Sequence, residues 1–265
     1  MKKKMNKLLY IQLVSLIILS CEKEIDIDLN SNNPKYVIEG NLSNIKGESK
    51  VKISKTLNFD DTIPYPTVRG AYVTIIDNTT EKIFMLSESS AGVYTKIDLV
   101  GIEGHNYTLL IKVGTEVFTS VSTMPFSVQN YSLVQENLAG SGLSGGSRTI
   151  IQITPHYSDL SNNERCYQFV VTKNDKLDND VFIRREESNN LSSAPVPIWI
   201  RADKNDKISI DLQCIDKYVY NYLFGLTENI YQSTATPSNP ESNISNGALG
   251  FFKVHTSQKK MLIIE

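Results

Sequence analysis

The chain has 265 residues, 27 basic and 29 acidic side chains, three cysteines and one tryptophan, for a net charge of −2. Setting aside residues 1–20 removes four lysines and no acids, which leaves 23 basic residues against 29 acidic ones, net −6. An acidic balance argues against a nucleic-acid partner, and an apolar content of 40% belongs to a folded chain rather than a disordered one.

At the amino terminus Lys2, Lys3, Lys4 and Lys7 precede an apolar run from Leu8 to Leu19, broken only by Gln12 and Ser15. A basic stretch followed by a short apolar core is the pattern of a signal peptide. A spanning helix needs roughly 20 apolar residues, and the charged segment from Glu22 ends this run earlier. The run closes as Ile18-Leu19-Ser20-Cys21, which resembles a lipobox, where a small residue precedes the cysteine whose sulfur takes diacylglycerol. Residues 1–20 are therefore expected to be a signal peptide and Cys21 the lipid-attachment residue. Several acyl chains on one residue, palmitate among them, hold a protein to a membrane where a single chain binds marginally. Residues 21–33 are expected to be the lipidated tether, although the alternation of Ile25, Ile27 and Leu29 also fits a first strand. Glu22, Lys23, Glu24, Asp26 and Asp28 resemble the lysine-and-acid signals that carry lipoproteins to the cell surface rather than leaving them on the periplasmic face.

From residue 34 onward, short runs of Val, Ile, Thr, Tyr and Phe alternate with polar residues and are bounded by Gly, Asn, Asp and Pro, the signature of antiparallel β-structure. Strands are expected at 36–42, 50–57, 71–77, 82–88, 93–99, 107–113 and 116–124, with hairpin turns at Asn78-Thr79 and Gly114-Thr115. Seven short strands in this span suit a sandwich of immunoglobulin or transthyretin-like size over residues 34–125. Gly40, Gly70, Gly92, Gly101 and Gly104 read as strand-end turns. Tyr107 follows such a turn and fits either a tyrosine corner or an ordinary core tyrosine.

A second β-rich domain is expected over 126–265. Its strand-like segments are 126–138, 149–154, 165–173, 181–185, 198–201 and 207–213, and Pro195 and Pro197 keep the fifth of these off a central position. Helical spacing occurs once, where Ile215, Val219, Tyr222, Leu223, Leu226 and Ile230 mark a helix near 216–232 with Asp216 at its dipole-favoured start. Residues 249–254 and 261–264 read as a closing hairpin. The fold class expected is all-β with one helix.

Several stretches together identify a family resemblance. Pro34-Lys35-Tyr36-Val37-Ile38-Glu39-Gly40, Val68-Arg69-Gly70-Ala71-Tyr72-Val73-Thr74-Ile75, Gly92-Val93-Tyr94 and Gly101-Ile102-Glu103-Gly104-His105-Asn106-Tyr107-Thr108-Leu109 resemble the Bacteroidota lipoproteins grouped as domain of unknown function 4249. The segment from Asn239 to Phe252 resembles that family's closing signature. The resemblance implies a cell-envelope lipoprotein found beside TonB-dependent outer-membrane receptors, and it brings no catalytic residues and no cofactor.

Read singly, the chemistry-bearing residues point nowhere stronger. Gly142-Leu143-Ser144-Gly145-Gly146 spells a nucleophile elbow, but a Gly/Ser loop surrounds it where a strand and a helix are required. His105, His156 and His255 lack the close spacing of a zinc site. Asp175, Asp178, Asp180, Asp203 and Asp206 lack the glycine and closing glutamate of a calcium loop, and Asp60-Asp61 reads as a solvated turn. Neither a catalytic set nor a metal site is expected. Asp61-Thr62-Ile63 resembles a short acidic-hydroxyl-aliphatic glycosylation motif, which makes Thr62 a candidate for O-glycosylation. With Cys21 lipidated, Cys166 and Cys214 remain, either as a disulfide closing a ~49-residue loop, about 4 kcal/mol in the chain-entropy model, or as two buried thiols. The expected function is a non-catalytic binding or accessory module tethered to the outer membrane, and the alternative is a hydrolase acting on glycans, whose carboxylates need no local motif.

Overall fold

The computed structural model describes residues 34–57, 66–137, 149–158, 164–186, 196–231 and 239–265. Cys21, Thr62, Asp60-Asp61, the tether alternation and the Gly142 to Gly146 elbow pattern lie outside them. Among the described residues no helix is long and apolar enough to cross a membrane.

The described strands are β1 (Tyr36–Ser43), β2 (Lys50–Lys55), β3 (Tyr72–Asp77), β4 (Lys82–Ser90), β5 (Val93–Thr95), β6 (Asn106–Val113), β7 (Glu116–Thr123), β8 (Gln129–Asn137), β9 (Thr149–Ser158), β10 (Arg165–Lys173), β11 (Lys176–Leu177), β12 (Phe182–Glu186), β13 (Ile198–Ala202), β14 (Lys207–Ile215) and β15 (Leu249–Ile263). One helix, α1 (Lys217–Tyr231), joins them. The expected all-β class with a single helix stands. Ladders run β11-β10-β14-β15-β1-β2-β5-β4-β3-β6-β7, with β12 also on β10, and β13-β9-β8 form a separate three-stranded sheet.

The alternation seen in the sequence is the alternation of burial. Ile38, Leu42, Val51, Ile53, Val73, Ile75, Leu109, Ile111 and Phe118 point into a first core, where β15-β1-β2-β5 face β4-β3-β6-β7. A second core lies between the three-stranded sheet and β10-β14-β15, built on Ile151, Ile153, Tyr167, Phe169, Ile198, Ile200, Ile210 and Leu212. The first core runs to Met124 and the second begins at Val128, but Ile244, Ala248, Phe252 and Val254 return to the first.

That return depends on β15, which departs from the sequence reading. Instead of two arms of a hairpin, Leu249–Ile263 is one strand: Leu249–His255 pair in parallel with β1, and Thr256–Ile263 pair antiparallel with β14. The polar run from His255 to Lys260 reads as a turn, yet each of its residues through Ser257 is buried in the sheet. Gly250 makes the parallel pairing with β1 possible. Its φ is +98°, and a β-carbon there would stand 2.0 Å from the carbonyl oxygen of Ile38, its register partner. Gly40 is no strand-end turn either. It lies within β1, where a β-carbon would meet the Phe252 ring at 2.9 Å.

Turn chemistry divides the two expected hairpins. Gly114, at φ +58°, makes the two-residue link between Val113 and Glu116. The other turn takes four residues, because the Asp77 carboxylate accepts from the amides of Thr79 (3.0 Å) and Thr80 (3.3 Å) and moves the positive φ to Glu81. Tyr107, 1% exposed, accepts at its hydroxyl a 2.9 Å bond from the Ile102 amide, so the tyrosine-corner alternative holds. Tyr94 performs a similar task that its sequence context did not reveal, accepting from Ala71 N and donating to Val68 O, both at 2.9 Å. Strand β13 is an edge strand, as the adjoining prolines required.

Candidate ligand-binding cleft

Odd-numbered residues of β15 face away from the two cores, together with Gln168 of β10, Asp211 and Gln213 of β14, and Glu39 and Asn41 of β1. This face carries α1. Cys166, Ile215, Val219 and Leu223 make a small third core beneath the helix, and Tyr222 meets Phe251 with ring centroids 5.2 Å apart. Asp216 caps the helix by accepting from Val219 N at 2.9 Å, and it also accepts from Ser122 Oγ of β7. Burial raises the Asp216 carboxyl above the ordinary range, and the bonds from Ser122, Val219 and Tyr218 oppose that rise.

Beside the helix the same face opens into a cleft of about 690 Å³. Gln168, Gln213, Lys253 and His255 line its floor; the β1–β2 turn (Gly47, Glu48) and the segment from Leu177 to Val181 form its walls. A chain of side-chain hydrogen bonds fixes the floor. Lys253 Nζ donates to Gln168 Oε1 (2.9 Å) and Gln213 Oε1 (2.8 Å), Gln213 Nε2 donates to Asp211 Oδ2 (2.7 Å), and Ser257 Oγ donates to Asp211 Oδ1 (2.7 Å). Ser257 N then donates to Asn44 Oδ1 at 2.9 Å, which ties the floor to the β1–β2 turn.

Lys253 is only 7% exposed. Burial pushes its ammonium down to about 8, against the pull of Asp211, and Lys50 lowers it further. His255 is held well below its usual range by burial and then by the neighbouring Lys253 charge, so at neutral pH it is an uncharged imidazole.

The residues singled out in the sequence are dispersed. His105 bonds Asp77 Oδ2 at 2.9 Å at one end of the first sandwich, His156 is exposed on β9, and only His255 belongs to the cleft. Burial pushes the Asp77 carboxyl up, but bonds from His105, Thr80 and Thr79 outweigh it and leave Asp77 below the ordinary range. Asp178 and Asp180 stand on the cleft wall, Asp175 pairs with Lys207 at 3.1 Å, and Asp206 accepts from the Asp203 amide in a turn. Among the described residues no group of three or more His, Cys, Asp or Glu is placed to hold a metal ion.

Cys166 and Cys214 are buried thiols that do not bridge each other. Tyr167 is the register partner of Cys214, and Cys166 that of Ile215, so the two sulfurs sit on opposite faces of one sheet, Cys166 under α1 and Cys214 in the second core. Side chains on adjacent strands that point to opposite faces cannot meet. Burial pushes the Cys166 thiol up to about 11, which leaves it unreactive at neutral pH.

The closing signature is structural. Asn243 brackets Phe252, accepting from its amide at 2.8 Å and donating to its carbonyl at 2.9 Å, while Ser245 N donates to Thr119 O at 2.8 Å. It fastens the approach to β15 onto the edge strand β7. The sequence reading missed the cleft, whose sole local signal is a lysine and a histidine at alternate positions beside the apolar residues Phe252 and Val254.

Fold and site together define an all-β protein with two large cores, a small third one under its helix, and a polar cleft on the helix-bearing face of its long sheet. The chain matches the family described as Domain of unknown function (DUF4249) over residues 22–261, and it belongs to that family. No curated protein matches it.

Proposed function

We propose that this protein is a cell-envelope lipoprotein, tethered through Cys21, that works as a non-catalytic ligand-binding or accessory module beside a TonB-dependent outer-membrane receptor. The observation that carries the binding role is the cleft: a concavity of about 690 Å³ lies within the size range of small-ligand sites. Its polar floor is held in place by its own hydrogen bonds, so a ligand meets groups that need little reordering. Tethering is supported by the basic and apolar residues before Cys21, and receptor association and the cell-surface location by the lipoprotein resemblance and the acidic, lysine-containing segment after Cys21.

Affinity purification of tagged protein from detergent-solubilised membranes of the native host tests this reading. A TonB-dependent receptor should co-purify, and Cys21→Ser should leave the protein unprocessed or soluble. A variant that is still processed and membrane-bound contradicts the tether, and repeated purification without a receptor contradicts the partnership. Protease added to intact cells should degrade the native protein; resistance until the outer membrane is permeabilised would place it on the periplasmic side.

A further inference from the structure

The charges around the cleft are arranged in two zones. At the floor lies Lys253, whose hydrogen bonds to Gln168 and Gln213 both go to neutral amide oxygens. Among the described residues no carboxylate is within ion-pair distance of it, and Asp211 is engaged by Ser257 and Gln213. An ammonium has three donors, and a buried charge held only by neutral partners gains from an anion that reaches it. Toward solvent the polarity reverses: Glu39, Glu48, Asp178 and Asp180 stand on the lining with Lys50, and Lys52, outside the lining, pairs with Glu39 at 3.5 Å, which leaves an acidic excess. That outer zone repels polyanions and attracts an ammonium group. Leu177, Val181 and Phe251 supply apolar lining.

We propose that the cleft binds a short zwitterionic peptide, its terminal carboxylate directed inward to the Lys253 ammonium and its terminal ammonium held among the outer carboxylates. The proposal rests on the reading of the cleft as a ligand site and adds the class of ligand. Side chains of a few residues fit the apolar lining, and the Asn41 amide and the Gln168 Nε2 offer partners for peptide groups.

Calorimetric titration of the full-length detergent-solubilised protein at neutral pH and low salt tests it, with Ala-Leu-Ala, its N-acetyl form, its C-terminal amide and the non-peptide carboxylate glucuronate as probes. Ala-Leu-Ala should bind saturably, and each capped form about tenfold or more weakly, since each loses one charge-assisted interaction of about 1.4 kcal/mol or more. Lys253→Met should abolish the difference between free acid and amide. If that variant does not fold, Glu48→Gln with Asp178→Asn, on the cleft wall, should weaken Ala-Leu-Ala but leave its N-acetyl form unchanged. Equal affinity for the free acid and the amide, or no binding of Ala-Leu-Ala at millimolar concentration, overturns the proposal. If glucuronate binds in the latter case, the cleft remains a ligand site and only the peptide class falls; if it too gives no heat, the binding reading loses its support as well.

Discussion

Lys253 sits among neutral amides with most of its hydration removed, and that has a measurable consequence for stability. Burial lowers its pKa from 10.5 when exposed to about 8 in the fold. Between those values the unfolded chain holds more protons than the native one, so stability rises with pH across this window. The contribution is absent below the folded value, complete above the unfolded one, and roughly 3 kcal/mol at most. Urea unfolding at pH 7 and pH 10 should show the wild-type stability rising by about 1–3 kcal/mol relative to Lys253→Met, in which this titration is removed. Tyr107→Phe removes the hydroxyl that satisfies the Ile102 amide and should cost about 1–2 kcal/mol in the same assay. The Tyr107 bond was foreseeable because its turn and its strand are adjacent in the chain. The environment of Lys253 was not, because its partners Gln168 and Gln213 come from β10 and β14 and read locally as outward-facing polar positions of ordinary strands.

Most strands were legible as elements because period-two burial follows directly from strand geometry. The exceptions share a cause, a tertiary partner that overrides the local signal. The stretch His255-Thr256-Ser257 has the composition of a turn but continues as strand because β1 pairs with the first half of β15 and β14 with the second. Gly250→Ala should break this element. A β-carbon 2.0 Å from Ile38 O, added to a positive φ, should cost about 3 kcal/mol or more and broaden the unfolding transition as the cores separate. Helix α1 depends on Asp216, which serves both as its cap and as acceptor for Ser122. Asp216→Ala should lower stability by about 1–2 kcal/mol, and Ser122→Ala should cost less in the Asp216→Ala background than in the wild type, a coupling that a double-mutant cycle measures.

At the scale of the whole molecule, the long sheet has one face covered by two cores and the other left for α1 and the cleft. Sequence alternation tells which residues leave the core but not what covers them. Lys253, His255 and Gln213 carry the same local pattern as any solvent-facing strand residues, and only the assembled β1–β2 turn and the 177–181 segment turn that face into a cleft. The choice between a Cys166–Cys214 disulfide and two buried thiols stayed open in the sequence for a related reason, since pairing register decides which face each sulfur takes. Both thiols should resist modification by an aromatic disulfide reagent in native protein and react on unfolding, since both are buried and burial keeps Cys166 protonated in the fold. The central claim is that the cleft on the helix-bearing face is where this protein meets its ligand. Hydrogen–deuterium exchange with and without Ala-Leu-Ala tests it most directly: amide exchange should slow in the β1–β2 turn around 44–49 and in 177–181, the two walls. No change there, with slowing instead on the outer face of the three-stranded sheet around Trp199, would contradict it.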